Sequence, residues 1–218
     1  MQLSDPQWND PALDVERVLG QLRPQSRVAD CGCFGWTLAA ACRARGHTLI
    51  GLDRTEPPGR PEGAEFAAMQ GWRLQLGDDE VDVVVANHVL EHLTEPMDFF
   101  REAVRIAKPG GLLWIESPSE LSAHGRSSDD PTDHAFQSFW DDPTHVRPWT
   151  PGALYRLALS FRCVPLHVSR GVAGEIPVSR LLARKPEDVH GTPPYAFVSL
   201  KDIPPGLAAA WQALWPQG

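Results

Sequence analysis

The sequence predicts an α/β protein built on a doubly wound, mostly parallel sheet. Three observations carry this. Short apolar runs alternate with helical patterns across residues 26–118. The first run, Val28-Ala29-Asp30-Cys31, enters a turn with two glycines, Gly32-Cys33-Phe34-Gly35-Trp36, and a helical pattern follows. The second run, Leu49-Ile50-Gly51-Leu52, ends on Asp53, 21 residues after Gly32. That is the first βαβ unit of a nucleotide-binding sheet.

The elements follow in order. Residues 10–22 predict a helix, with Asp10 as cap, Pro11 in its first turn and Val15, Val18, Leu19 and Leu22 on one stripe. A strand at 26–31, a helix at 36–45 ending at Gly46 and a strand at 48–53 come next. Arg54 to Gly63 holds three prolines and reads as loop. Glu65 to Gln70 is a weaker strand and 81–86 a strong one. A helix at 95–107, with Thr94 as cap, sets Met97, Phe100, Ala103, Val104 and Ala107 on one face. A strand at 112–117 follows, then a long polar loop at 119–148. Loops of that length are functional or disordered. Thr150 caps a helix to Ser160, Phe161–Val168 and Val178–Ala183 read as strands, and 184–204 is Pro-rich and irregular. A short helix at 205–215 carries Leu207, Trp211 and Leu214. The chain reads as one domain over 1–218: a core at about 12–185, the 119–148 insertion and a C-terminal extension at 186–218.

Composition narrows the function classes. A net charge of −8 argues against a broad nucleic-acid surface, which depends on Lys and Arg releasing counterions. No run of 18 apolar residues spans a membrane. Met1 to Pro6 lacks the basic and apolar segments of a signal peptide, so a cytoplasmic location is expected. Of the four cysteines, Cys31 and Cys33 form a C-x-C pair with no second pair to complete a metal site. With Cys42 and Cys163 they read as buried free thiols.

A dinucleotide fingerprint needs glycines at 32, 34 and 37, where the chain has Gly32, Phe34 and Thr37. Asp30-Cys31-Gly32-Cys33 instead resembles the Asp/Glu-x-Gly-x-Gly-x-Gly motif of class I S-adenosylmethionine (SAM) methyltransferases. Asp82-Val83-Val84-Val85-Ala86-Asn87-His88-Val89-Leu90-Glu91-His92-Leu93 resembles that family's fourth strand and the "LEHL" loop after it. Arg105-Ile106-Ala107-Lys108-Pro109-Gly110-Gly111-Leu112-Leu113 resembles its "R-x-LKPGG-x-L" turn. The resemblance implies a Rossmann-like, seven-stranded sheet with an antiparallel C-terminal strand, and SAM as cofactor. It implies that Asp30 and Gly32 face the methionine part, Asp53 the ribose, Gln70 and Gly71 the adenine edge, and that the Asn87 backbone holds the methionine amino group. Phe34 and Trp36 stand where the family has its second and third glycines. Gly35 is then expected to supply the close backbone approach.

Phe139-Trp140-Asp141-Asp142-Pro143-Thr144-His145-Val146-Arg147-Pro148-Trp149 is similar to a "D-P-T-H-x-R" segment of some SAM methyltransferases, including ones associated with bacterial glycan synthesis. His145 is the expected general base for methyl transfer to a hydroxyl, oriented by Asp141 or Asp142. Arg147 is the expected anchor for an anionic part of the acceptor, and His88 lines the acceptor pocket. His92 is expected to pack beneath the loop. Trp140 and Trp149 suit sugar stacking or core packing equally. Asp133, His134, Asp141, Asp142 and His145 also hold metal-ligand chemistry suited to Fe²⁺ or Zn²⁺, but such runs are more often solvated loop, and no metal is expected.

The expectation is a SAM-dependent methyltransferase acting on an oxygen of a small molecule or glycan precursor. Two alternatives stand: methylation of a carboxylate or nitrogen, and a non-catalytic binding or scaffold protein with a degenerate glycine motif.

Overall fold

The computed structural model describes residues 7–8, 10, 12–125 and 138–187. In chain order the elements are β1 (Gln7–Trp8), α1 (Val15–Leu19), β2 (Arg27–Cys31), α2 (Ala39–Ala44), β3 (Thr48–Asp53), β4 (Glu65–Gln70), β5 (Arg73–Leu74), β6 (Val81–Asn87), α3 (Pro96–Ile106), β7 (Ala107–Pro118), α4 (Pro151–Ser160), β8 (Val164–Ala173) and β9 (Ile176–Arg184). The sheet order is β1-β8-β9-β7-β6-β2-β3-β4-β5. Seven of these strands are long, and β1 and β5 are two-residue additions at the edges. β9 runs antiparallel between β7 and β8, so β8 keeps the direction of the parallel strands. The expected helix at 205–215 and irregular stretch at 188–204 lie outside the described residues, as do Pro11, Asp133 and His134.

The sheet is wound on both faces because strand side chains alternate. Ala29, Cys31, Ile50, Leu52, Val84 and Ala86 pack with Phe99 and Phe100 of α3 and Leu154 of α4. Val28, Leu49, Val83 and Val85 pack with Val18 and Leu19 of α1 and Cys42 of α2. Burial on both faces explains the near-continuous valines of β6.

Several expected bounds shift: α2 begins at Ala39 in place of residue 36 and β7 at Ala107 in place of 112. Three further shifts have a local reason. The first helix begins at Val15, because Asp14 rather than Asp10 accepts from the Arg17 amide, at 2.8 Å. Asp10 closes a separate turn onto the Ala12 amide. The helix at α3 has no side-chain cap; the Thr94 hydroxyl donates to the Glu95 carboxylate instead. β8 and β9 both run longer than their apolar cores, since they pair with each other down to Ala173 and Ile176.

Trp36 decides one packing detail. Its ring lies over Gly51 of β3, where an added Cβ would stand 2.5 Å from Trp36 Cζ3 and 2.7 Å from Cys33 Sγ. Its indole N–H donates to the Pro57 carbonyl at 3.3 Å. The bulk at the third glycine position of the turn is thus spent on the core, and Phe34 stands in solvent at 84 % exposure. Gly51→Ala is expected to destabilise the protein by about 1–3 kcal/mol through overpacking, read as a lowered midpoint in urea unfolding.

Candidate active site at the carboxyl edge of the sheet

Chain order reverses between β2 and β6, and ligands of open α/β sheets bind outside the carboxyl ends at such a point. Here β2 ends on Asp30 and Cys31 beside Val85 and Ala86 of β6. The turn after β2 is held by the Gly32 and Cys33 amides, which donate to the Leu52 carbonyl at 2.7 and 3.3 Å. Gly32 has φ +73°, and a Cβ there would meet Val89 Cγ2 at 2.8 Å. Gly35 has φ +71° with open space where its Cβ would be. Its requirement is therefore conformational and does not come from crowding within the protein.

Asp30 is the unusual acid of this edge. It is buried and its Oδ2 has no hydrogen-bond partner. Burial first, and the nearby Asp53 charge second, push its carboxyl up to about 7. Asp53 ends β3 half-buried and accepts from the Arg54 amide at 2.7 Å. Next to it β4 ends on exposed Gln70, and Gly71, at φ +63°, turns the chain into β5. The structure thus brings Asp30, Gly32, Asp53, Gln70 and Gly71 to adjacent strand ends. Asn87 ends β6, and its Oδ1 accepts from Trp114 Nε1 at 2.9 Å.

A second set of residues surrounds a cavity of about 190 Å³ beyond β6 and β7, lined by His88, Glu91, His92, Phe139, Asp142 and His145 among others. His88 follows Asn87 at φ +54°, an uncommon conformation for a residue with a side chain. That turn sets its ring between two carboxylates, Nδ1 3.3 Å from Glu91 Oε1 and Nε2 3.7 Å from Glu116 Oε1. Glu116 also takes a 2.5 Å ion pair from Arg180 Nε, and Glu91 accepts from Ser117 Oγ at 2.8 Å. Glu116 first and Glu91 second push His88 up to about 9. Burial works against the Glu116 charge, but the bonds from His88 and Arg180 outweigh it and hold the carboxyl below its ordinary range.

His145 lies against this cluster. Its ring stacks on Phe139 at 4.4 Å, and its Nδ1 donates to the Phe139 carbonyl at 2.6 Å. A carbonyl only accepts, so Nδ1 carries a proton, and in the neutral ring Nε2 is the basic nitrogen. The orienting group is that backbone carbonyl and neither aspartate. Asp141 closes a capping box with Ser138, and Asp142 Oδ2 is 3.8 Å from Nε2. Bonds from Thr144 hold the Asp142 carboxyl below its usual range. His92 is exposed and faces the cavity, with its ring 4.8 Å from that of His145, and is not packed beneath the loop. Arg147 is exposed over the Trp149 ring at 5.1 Å and is not among the residues lining this cavity. Trp149 is core and Trp140 is 60 % exposed.

Glu91, Glu116, Arg180 and the Phe139 carbonyl were not singled out from sequence. A signal existed for two of them: Glu116 and Arg180 interrupt otherwise apolar strands, and a buried charge in a strand needs a partner.

Residues 29–115 match the family model described as a methyltransferase domain. The chain is 32 % identical over 104 residues to a ubiquinone biosynthesis O-methyltransferase of Hahella chejuensis, covering 43 % of this chain and 44 % of that protein. It is 32 % identical over 119 residues to an uncharacterized methyltransferase of a Mycobacterium species, covering 51 % and 47 %. The match thus spans less than half the length of these curated relatives. A SAM-dependent methyltransferase of Methanosarcina mazei superimposes with a TM-score of 0.63 at 15 % identity, over 81 % of this chain and all of that one. A 1,6-didemethyltoxoflavin-N1-methyltransferase of Burkholderia thailandensis, solved with S-adenosylhomocysteine, gives 0.60 at 20 % identity, over 78 % and 76 %. A [4+2]-cyclase shares the fold at 0.58 and 18 % identity, over 84 % and 87 %, so the fold alone does not name a reaction.

A folded-state value near 9 for His88, against 6.5 unfolded, means its ion pairs stabilise fully below pH 6.5 and are lost as pH rises through 9. Urea midpoints are expected to fall between pH 7 and 10 in the wild type, and this component of the fall is expected to vanish in His88→Gln.

Proposed function

From the match of residues 29–115 to a methyltransferase-domain family model, we propose that this protein is a SAM-dependent methyltransferase acting on a hydroxyl of a small molecule or glycan precursor. The observation that carries the reading is the juncture at Gly32 and Val89. The glycine turn after β2 touches the loop after β6 there, so a cofactor on one side and an acceptor in the cavity on the other adjoin.

The residues fit the cofactor. Asp30 offers an unpartnered buried carboxylate oxygen to a cationic ammonium, and Asp53 offers a carboxylate to a ribose. Gln70 and Gly71 meet the adenine edge, and Gly32 and Gly35 let backbone approach. The bound cofactor would supply an electrophilic methyl group, and Asp30, Asp53, Gln70 and the two glycines would hold it beside an acceptor hydroxyl in the cavity; such positioning supplies most of the rate. The hydroxyl proton passes to His145 Nε2, and Asp142, 3.8 Å away, faces the resulting imidazolium. His88 is protonated up to about pH 9 and is unsuited to accept it. The cavity is close in size to one that holds a benzene ring, roughly 150 Å³, so one ring of the acceptor enters. Buried, unpaired cysteines suit a reducing compartment, and we place the protein in the cytoplasm.

Calorimetric titration with SAM tests the reading: binding is expected, and no heat at millimolar cofactor overturns it in favour of a scaffold protein. Asp53→Ala is expected to weaken binding by about 2–4 kcal/mol through two lost charge-assisted hydrogen bonds. His145→Ala is expected to lower kcat by roughly 10²–10⁴-fold with little change in cofactor affinity; an unchanged kcat favours a carboxylate or nitrogen acceptor, which needs no base.

A further inference from the structure

The cavity holds a constellation of which the methyl transfer proposed above uses only His145. One ligand atom each from Glu91, His92 and His145 lies within 4.8 Å of the others. Two imidazoles and a carboxylate are the donor set of transition-metal sites, whereas Mg²⁺ and Ca²⁺ prefer all-oxygen cages.

The surroundings are those of ligands held in place. The Thr144 hydroxyl donates to Asp142 Oδ1 at 2.6 Å, so its oxygen accepts from His92 Nδ1 at 2.8 Å. The Phe139 carbonyl accepts from His145 Nδ1 at 2.6 Å. In their neutral form both rings therefore carry the proton on Nδ1 and offer Nε2 as the ligand atom, through the outer-shell bonds that orient metal-binding histidines. Glu91 is fully buried, and its Oε1 lies 3.3 Å from His88 Nδ1. The loop carrying His145 is tied to the loop carrying Glu91 and His92 by the Val146 amide on the Glu91 carbonyl, at 2.6 Å. Residues 54 apart in sequence are thus held in one fixed relation.

We propose that Glu91, His92 and His145 form a binding site for a divalent transition-metal cation, with open coordination positions toward the cavity. Binding itself does not depend on the methyltransferase reading. Its catalytic consequence rests on the reading of the cavity as the acceptor site. An acceptor hydroxyl on the open position would become more acidic and give its proton to water, which leaves a metal-held oxygen as the nucleophile. His145 Nε2 is then a ligand and accepts no proton, so the cation takes over the role assigned above to the free imidazole.

The test uses the full chain, stripped with a chelator and then dialysed against Zn²⁺ or Co²⁺. One equivalent per chain is expected by elemental analysis. Each of His92→Ala and His145→Ala is expected to weaken it more than about 100-fold, and Thr144→Val by about 10–100-fold, as for loss of an outer-shell partner. His92 is exposed, so His92→Ala is the variant least exposed to misfolding; its unchanged calorimetric affinity for SAM confirms an intact fold. The Co²⁺ spectrum is expected to lack thiolate charge-transfer bands. Thiolate bands, or full Zn²⁺ binding retained in both histidine variants, place the ion elsewhere and overturn the proposal. Wild-type protein that binds SAM but neither ion overturns it and leaves the methyltransferase reading intact. Protein that binds the ion but not SAM does the reverse.

Discussion

The carboxyl edge of this sheet depends on one buried charge set: Glu91 and Glu116 against His88 and Arg180. Removing two carboxylates from water is tolerable only if matched cations accompany them with good geometry. Four elements meet there. Glu116 comes from β7, Arg180 from β9, and His88 and Glu91 from the turn after β6; Arg180 also donates to the Leu13 carbonyl before α1. The requirement to pair these charges explains the αL backbone of His88, which a chain without the cluster would avoid. It also explains why β9 is held in register against β7, with Glu116 opposite Arg180.

The edge divides into two chemically different halves. The half at the ends of β2 and β3 is anionic, with Asp30 lacking a donor and Asp53 near it. The half beyond β6 and β7 is densely hydrogen-bonded and bordered by the segment from Ser138 to Trp149. This segment is anchored at both ends: Asp141 and Ser138 cap each other, and the Trp149 amide donates to the Pro118 carbonyl. Its rigidity distinguishes it from a loop that simply crosses the surface. The two halves meet at Gly32 against Val89, where a side chain on residue 32 would force them apart.

Much of the fold was legible in the sequence because it follows from period and punctuation. The valines of β6, the Thr150 cap of α4 and the glycine-bearing turn after β2 are local signals, and each lies where the sequence placed it. Boundaries failed where two local signals competed. Asp10 and Asp14 are equally good caps, and packing of Val18 and Leu19 on the sheet chose between them. The length of β8 and β9 was missed because polar residues such as Ser169 and Arg170 continue a strand only when a partner strand is present.

By itself the sequence determined the strand–helix alternation of the core and, to within a residue, where the strands at 26–31, 48–53, Glu65–Gln70 and 81–86 end, and hence that Asp30, Asp53, Gln70 and Asn87 share one edge. Backbone propensity and side-chain alternation are local, so a single chain records them. Only the tertiary structure decided that Trp36 belongs to the core, that Phe139 and not an aspartate orients His145, that Arg147 stacks on Trp149, and that Glu91, His92 and His145 face one another. Those facts depend on distances between segments far apart in sequence. Such distances are set by how the loops after β6 and β7 pack together, and no local pattern encodes them.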